Sequence, residues 1–252
     1  MSAVIVIPAR YDSTRFPGKP LAPLKGKPVI QHVYENAGDA RSAEDVIVAT
    51  DSETIFEAVL SFGGKAVMTS RDHVSGTDRI AEVARSLRCD IIVNVQADEP
   101  LVRPEMIDDV IGLLSDDRAD IGTLVKKIQN PEEVMDPNVV KAVFGQEGFA
   151  LYFSRAPIPY HRDEWKDLDR FDVQRSKFNV FKHIGIYSYK RDVLIKLAGM
   201  EPSRLEKIEK LEQLRALENG FMIKVKETSS ETIGVDTPQD LERVERWLSI
   251  SS

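Results

Sequence analysis

Arg10, Arg15 and Lys19 stand within IPARYDSTRFPGKPL, residues 7–21, directly after an apolar run. Three cations on one short loop can neutralise a phosphate-rich ligand, and the small residues Ser13, Thr14 and Gly18 keep such a loop compact and leave main-chain amides able to approach an anion. A solvated basic loop is the plainer reading. Position favours the ligand, because Val4 to Ile7 is a β-branched run suited to a strand buried on both faces, and loops at strand C-termini of open α/β sheets are where ligands bind. Pro8, with no amide hydrogen, is expected to end that strand.

A second cluster, VNVQADEP (93–100), reads as a buried strand that ends in Gln96, Asp98 and Glu99. Carboxylates facing a triphosphate need a divalent cation between them, and magnesium meets that need with one or two carboxylates, phosphate oxygens and waters. The same acids could merely open a turn. In IGVDTPQDL (233–241), Pro238 fits the first position of a helix, Thr237 its N-cap and Asp240 its first turn, which leaves Asp236 over. A second metal-facing carboxylate and a plain helix-terminus acid are equal readings of Asp236. In SGTDR (75–79), Ser75 and Thr77 open a helix, where capping is the safer role and a nucleotide contact the sharper one.

Within LEKIEKLEQLRAL, the apolar residues Leu205, Ile208, Leu211, Leu214 and Leu217 recur every three positions, so on one continuous helix they would spiral by roughly 60° per step. Glu212 and Gln213 lie among them, either partly enclosed against a ligand or on the remaining wet strip. The four histidines are too scattered for a metal site; only His183 opens a strand-like run, HIGIYSY.

These residues need a frame, and the pattern supplies one. Strands are predicted near 3–7, 46–50, 65–68 and 91–95, with helices near 28–38, 53–61, 77–87 and 104–115, the rhythm of βαβ units. Further strands are predicted near 121–126, 139–144, 149–153, 183–189, 222–227 and 232–235, with helices near 204–218 and at the C-terminus. Residues 156–180, rich in Pro and charge, read as a lid, a dimer arm or a surface loop, with the first two favoured. At 252 residues and 42% apolar content, the chain suits one large core with at most a small appendage. A net charge of -7 argues against a general nucleic-acid or membrane-surface binder. The single cysteine, Cys89, reads as packed filler and fits a reducing compartment. With no basic apolar leader at the N-terminus, a cytoplasmic protein is expected.

In order along the chain, IPARYDSTRFPGKPL, VATD, SGTDR, NVQADEP, ALYFSRAPIP, KHIGIY, LEQLRALENG and GVDTP closely resemble the 3-deoxy-manno-octulosonate cytidylyltransferases, the CMP-Kdo synthetases. The resemblance implies a three-layer α/β/α nucleotidyltransferase fold with a mixed, mostly parallel sheet: a single domain over 1–252 in which 145–190 contribute a small dimerisation and sugar-binding subdomain. It implies a homodimer that transfers CMP from CTP to the acidic eight-carbon sugar Kdo, releasing pyrophosphate, with Mg2+. The product would feed lipopolysaccharide or capsule assembly.

By the same resemblance, Ala9, Arg10, Ser13, Arg15, Lys19, Ser75, Gly76 and Gln96 would surround the nucleotide, and Asp98 and Asp236 would hold the metal. Gln96, Arg155, His183, Tyr187, Glu212 and Gln213 would form the sugar pocket, with Arg155 suited to the sugar carboxylate and Glu212 to its hydroxyls. Arg10, Lys19, Asp98 and Asp236 would carry the catalysis. One departure stands out: Ala97 occupies a position where the family has glycine, and a positive φ there would strain it. Rival readings are a CMP-sialate synthetase, an enzyme for amino-substituted Kdo, a nucleotide-sugar pyrophosphorylase, a molybdopterin guanylyltransferase and a non-catalytic nucleotide binder on the same fold. The absence of GxGxxG after the first strand disfavours a dinucleotide reductase.

Overall fold

A computed structural model describes residues 1–12, 16–162, 179–230 and 232–250. Strand β1 (Ala3–Ala9) is followed by a 3-10 turn (Lys19–Leu21), a ribbon of β2 (Pro23–Leu24) and β3 (Lys27–Pro28), and helix α1 (Val29–Gly38). Then come β4 (Asp45–Thr50), α2 (Glu53–Ser61), β5 (Ala66–Met68), α3 (Gly76–Ser86), β6 (Ile91–Asn94) and α4 (Pro104–Leu113). After β7 (Ile121–Lys127) stand α5 (Pro131–Met135) and the hairpin of β8 (Lys141–Phe144) and β9 (Ala150–Ser154). The rest is β10 (Phe181–Lys190), α6 (Arg191–Ala198), α7 (Arg204–Glu209), α8 (Gln213–Glu218), β11 (Ile223–Glu227) and α9 (Pro238–Ile250).

The main sheet runs β11-β7-β10-β6-β1-β4-β5, with β8 attached to β10 and β9 to β8. Strand β1 is parallel to β4 and β6, β4 to β5, and β7 to β11; β10 is antiparallel to β6, β7 and β8. The sheet is therefore mixed and mostly parallel, as expected for an α/β chain. Alternation along β1 sorts the two faces. Ala3, Ile5 and Ile7 join one core with residues of α1, α2 and α4, while Val4 and Val6 join the other with α3, α6 and α8. The C-terminal ends of β1, β4 and β6 share one edge, and the chain leaves β1 and β6 there to form the two site loops.

Three expectations are corrected and one element is new. Strand β1 continues through Pro8 to Ala9, because β6 pairs with β1 only as far as Val6 and Pro8 needs to match Ala49 alone. Residues 232–235 form no strand; Val235 makes one main-chain bond, to Asp98. The helix expected over 204–218 is two helices, interrupted at Lys210 with φ 54 and ψ 46. Helix α6 was not anticipated: it follows β10 without a loop, and no glycine or proline separates the two. Most of the 156–180 segment, residues 163–178, lies outside the described residues.

Candidate active site

The first site loop closes through Gly18, whose amide donates to the Tyr11 carbonyl at 2.9 Å and whose φ of 71° suits glycine. This turn delivers Lys19, the first residue of the 3-10 turn, to the mouth of the parallel strands. Its ammonium lies 2.5 Å from Asp98 Oδ2 and 3.2 Å from Asp236 Oδ1. The two acids come from distant segments, and the Val235 amide joins those segments by donating to the Asp98 carbonyl at 2.8 Å. Asp240 caps its own helix by accepting from Thr237 N and Oγ1, which fixes the turn that carries Asp236. Burial works against the Lys19 charge, but Asp98 and Asp236 outweigh it and raise its pKa above the usual lysine range.

Arg10 extends from the end of β1, and its Nη2 donates to the His73 carbonyl at 2.5 Å. That loop is tied down by Glu82, which accepts from Ser70 N at 3.0 Å and from the His73 ring. Arg10, Lys19, Gln96, Asp98 and Asp236 line an open cavity of about 420 Å³. Behind the carboxylates stands Glu99, whose Oε2 is enclosed without a hydrogen-bond partner. Burial, reinforced by the charges of Asp98 and Asp236 and opposed by Lys19, pushes its pKa up to about 8, so its carboxyl is largely neutral at neutral pH. Among non-glycine described residues, positive φ occurs at Lys25 and Lys210, so Ala97 carries no such strain and its methyl is simply buried.

A second cavity, of about 230 Å³, adjoins the first and shares Gly76 and Gln96 with it. It lies between the sheet and helices α3 and α8, and its lining includes Asn94, Tyr187, Glu212 and Gln213. Tyr187 sits opposite Asn94 because β10 runs antiparallel to β6. Ser75 caps α3, accepting from Asp78 N at 3.1 Å, and its Oγ lies 3.5 Å from Glu212 Oε1. Thr77 Oγ1 donates to Glu212 Oε2 at 2.9 Å. Burial raises the Glu212 pKa, against the opposing pull of Thr77 and Arg215. Capping and ligand contact are therefore not exclusive for SGTDR, since Ser75 caps the helix and Gly76 lines both cavities.

Two residues expected in the sugar pocket line neither of these cavities. The Arg155 guanidinium donates to the carbonyls of Glu209 at 2.7 Å and Pro137 at 2.8 Å. His183 stands a layer below, with its ring 5.2 Å from Tyr187 and its Nε2 2.9 Å from Thr123 Oγ1. Burial pushes its pKa down to about 3, so it is neutral. Ala9 buries its methyl in the core at the end of β1. Ser13 and Arg15 lie outside the described residues.

Sequence reasoning missed Asn94 and Tyr189 as cavity residues, since each reads as an ordinary strand position. It also missed fully buried Arg79, which ties α3 to the end of β4 by donating to Asp51 Oδ2 at 2.6 Å. The pairing of VATD with SGTDR, an acid at a strand end and an arginine in a helix's first turn, was the available signal.

The cytidylyltransferase family model matches residues 4–231. The chain is 54% identical over 245 residues to the 3-deoxy-manno-octulosonate cytidylyltransferase of Geobacter sulfurreducens, covering 97% of this chain and 98% of that one. It is 51% identical over 261 residues to the protein of the same name from Thermodesulfovibrio yellowstonii, covering 100% of both. Among solved structures, a CMP:2-keto-3-deoxy-manno-octonic acid synthetase complexed with CTP matches with a TM-score of 0.91 at 43% identity, covering 100% of each chain. Matched over almost its whole length, the chain belongs to the cytidylyltransferase family, in the company of the 3-deoxy-manno-octulosonate cytidylyltransferases.

Proposed function

We infer that this chain transfers CMP from CTP to the anomeric hydroxyl of 3-deoxy-manno-octulosonate, giving CMP-Kdo and pyrophosphate. The observation that carries the reading is the junction of two cavities at Gly76 and Gln96, one lined by Arg10, Lys19, Asp98 and Asp236 and the other by Tyr187, Glu212 and Gln213. A triphosphate in the first and a polyhydroxylated sugar in the second would bring the α-phosphorus and the attacking hydroxyl together at the shared wall. Arg10 and Lys19 would neutralise the phosphates and the charge that grows on departing pyrophosphate. Glu212 and Gln213 would orient the sugar hydroxyls. Attack in line with the leaving group needs no covalent enzyme intermediate.

Asp98 and Asp236 would hold Mg2+. Their fit to a divalent cation is supported by the way both carboxylates reach one ammonium, at 2.5 and 3.2 Å. One or two carboxylates completed by phosphate oxygens and water are a donor set that magnesium takes. Once bound, Mg2+ supplies charge neutralisation at the phosphates and acidity at a coordinated hydroxyl.

We place the enzyme in the cytoplasm as a homodimer joined through residues 145–190, serving lipopolysaccharide or capsule assembly. Among the described residues no helix is long and apolar enough to cross a membrane. Support for the dimer comes from β9, which pairs with β8 alone among the described strands and exposes Leu151. Light scattering after size exclusion tests it, and a monomer would withdraw it.

A pyrophosphate-release assay over a panel of nucleotides and acid sugars, with and without Mg2+, tests the reaction. Turnover is expected with CTP and Kdo, and Asp98→Ala is expected to abolish it with the fold intact. Silence with CTP and every acid sugar would overturn the reading.

A further inference from the structure

The interruption between α7 and α8 decides where Glu212 points. Residues three apart on one helix share a face, so an unbroken 204–218 helix would aim Glu209 and Glu212 in nearly the same direction. Here they diverge. The Glu209 carboxylate accepts from Ser154 Oγ at 2.7 Å and from the Arg155 amide at 3.0 Å, at the end of β9. The Glu212 carboxylate accepts from Thr77 Oγ1 at 2.9 Å, at the start of α3. Between them Lys210 takes φ 54, a left-handed conformation that is strained for a non-glycine residue and needs support from its surroundings.

Arg155 supplies that support. Its Nε donates to the Glu209 carbonyl at 2.7 Å, its Nη2 lies 3.5 Å from the Lys210 carbonyl, and its Nη1 donates to the Pro137 carbonyl at 2.8 Å. A cation thus meets the carbonyls that α7 leaves unpaired where it stops, the end of a helix at which positive charge is favourable. The far arm of the fork is braced in turn, because Lys141 holds the same loop by donating to the carbonyls of Asp136 at 2.8 Å and Val139 at 2.6 Å.

We propose that Ser154, Arg155 and Glu209 form a clasp that holds the chain interruption at Lys210 and thereby positions Glu212 and Gln213 on the second cavity. Arg155 is then a positioning residue that acts on the sugar through Glu212 without touching it. The proposal rests on the sugar-binding reading of that cavity for its kinetic consequence, and on the structure alone for its conformational one.

The test uses Arg155→Lys, Lys210→Gly and the double variant in the full-length enzyme. Lysine keeps the charge but cannot reach three carbonyls with one planar fork. Arg155→Lys is expected to raise the KM for Kdo about tenfold while the KM for CTP moves less than about twofold. Lys210→Gly, which removes the penalty of the left-handed residue, is expected to restore most of that loss in the double variant. No restoration would overturn the clasp and favour a direct contact between Arg155 and the sugar, since glycine adds no cation. Hydrogen exchange on the ligand-free protein provides a readout independent of substrate: Arg155→Lys should speed exchange at Leu214 and Arg215, whose amides donate to the Leu211 and Glu212 carbonyls, and leave α3 unchanged. Unchanged exchange at those amides would overturn the clasp even in an active enzyme. A wild-type chain silent with every acid sugar would count against the function alone, leaving exchange to decide the clasp. If Arg155→Lys does not fold, Ser154→Ala removes a donor to Glu209 and is expected to shift both readouts in the same direction by less; no shift in either would overturn the proposal.

Discussion

Glu99 keeps a carboxyl behind two others, and its charge state is coupled to folding. Burial first, then the charges of Asp98 and Asp236, raise its pKa from the ordinary 4.5 to about 8. The stability it contributes is therefore fully present below about pH 4.5, where both folded and unfolded forms are protonated, and is lost as pH rises toward and through about 8. The full loss is on the order of 5 kcal/mol, and smaller to the extent that water relaxes the site. In chelator, without nucleotide, the wild type should lose denaturant stability between about pH 5 and pH 8 relative to Glu99→Gln, which cannot ionise. A constant difference across that range would refute the assignment. Asp98, Asp236, Lys19 and Arg10 were legible in the sequence as candidates because Arg10, Asp98 and Asp236 each close an apolar run, where an α/β sheet exposes its loops, and Lys19 lies on the loop that Arg10 opens. The contacts of Arg155 were not, because a cation at a strand end looks the same whether it faces a ligand or the carbonyls of a neighbouring helix.

At the level of elements, the three-residue leucine spacing was a correct signal with the wrong model behind it. One helix would have needed neighbours all round; the chain instead resets its phase at Lys210, so that Leu211 and Leu214 are buried while Ile208 stays exposed. No residue pattern announces that interruption, since Lys210 is neither glycine nor proline and its left-handed φ is held by contacts from Arg155, just past β9. The start of α3 was easier to read. Ser75 and Asp78 form the reciprocal cap that SGTDR suggests, with Ser75 N donating to Asp78 Oδ2 at 3.1 Å. Ser75→Ala is expected to cost about 1 kcal/mol of stability through the lost cap. It should also weaken sugar binding modestly, because the Ser75 hydroxyl lies beside the Glu212 carboxylate at 3.5 Å. Thermal melts and the KM for Kdo measure the two effects separately; a change in neither would mean that Thr77 and Asp78 suffice.

Across the whole molecule, the site is assembled by an apolar cluster on the far side of its loops. Each segment bearing a charged group also buries a hydrophobic residue close to it in sequence: Ala22 follows Lys19, Leu101 follows Asp98, and Val235 precedes Asp236. These residues pack in one cluster, and α9 contributes fully buried Val244 together with Leu241 and Trp247. The last helix of the chain therefore fixes the first loop against the carboxylates, a long-range dependence that local periodicity could not reveal. Val244→Ala deletes two methyl groups at the centre of this cluster, a loss of about 1–2 kcal/mol from transfer and cavity terms. If the cluster sets the spacing of Lys19, Asp98 and Asp236, the same change should raise the KM for CTP and the Mg2+ concentration needed for half activity, while the KM for Kdo changes little. A buried valine of the opposite face, Val83 on α3, serves as the control: Val83→Ala should cost comparable stability without selective loss of CTP or Mg2+ response. Equal kinetic effects from the two substitutions would make α9 a general stabiliser. A selective effect from Val244→Ala would make it the part of the fold that holds the phosphate side of the site together.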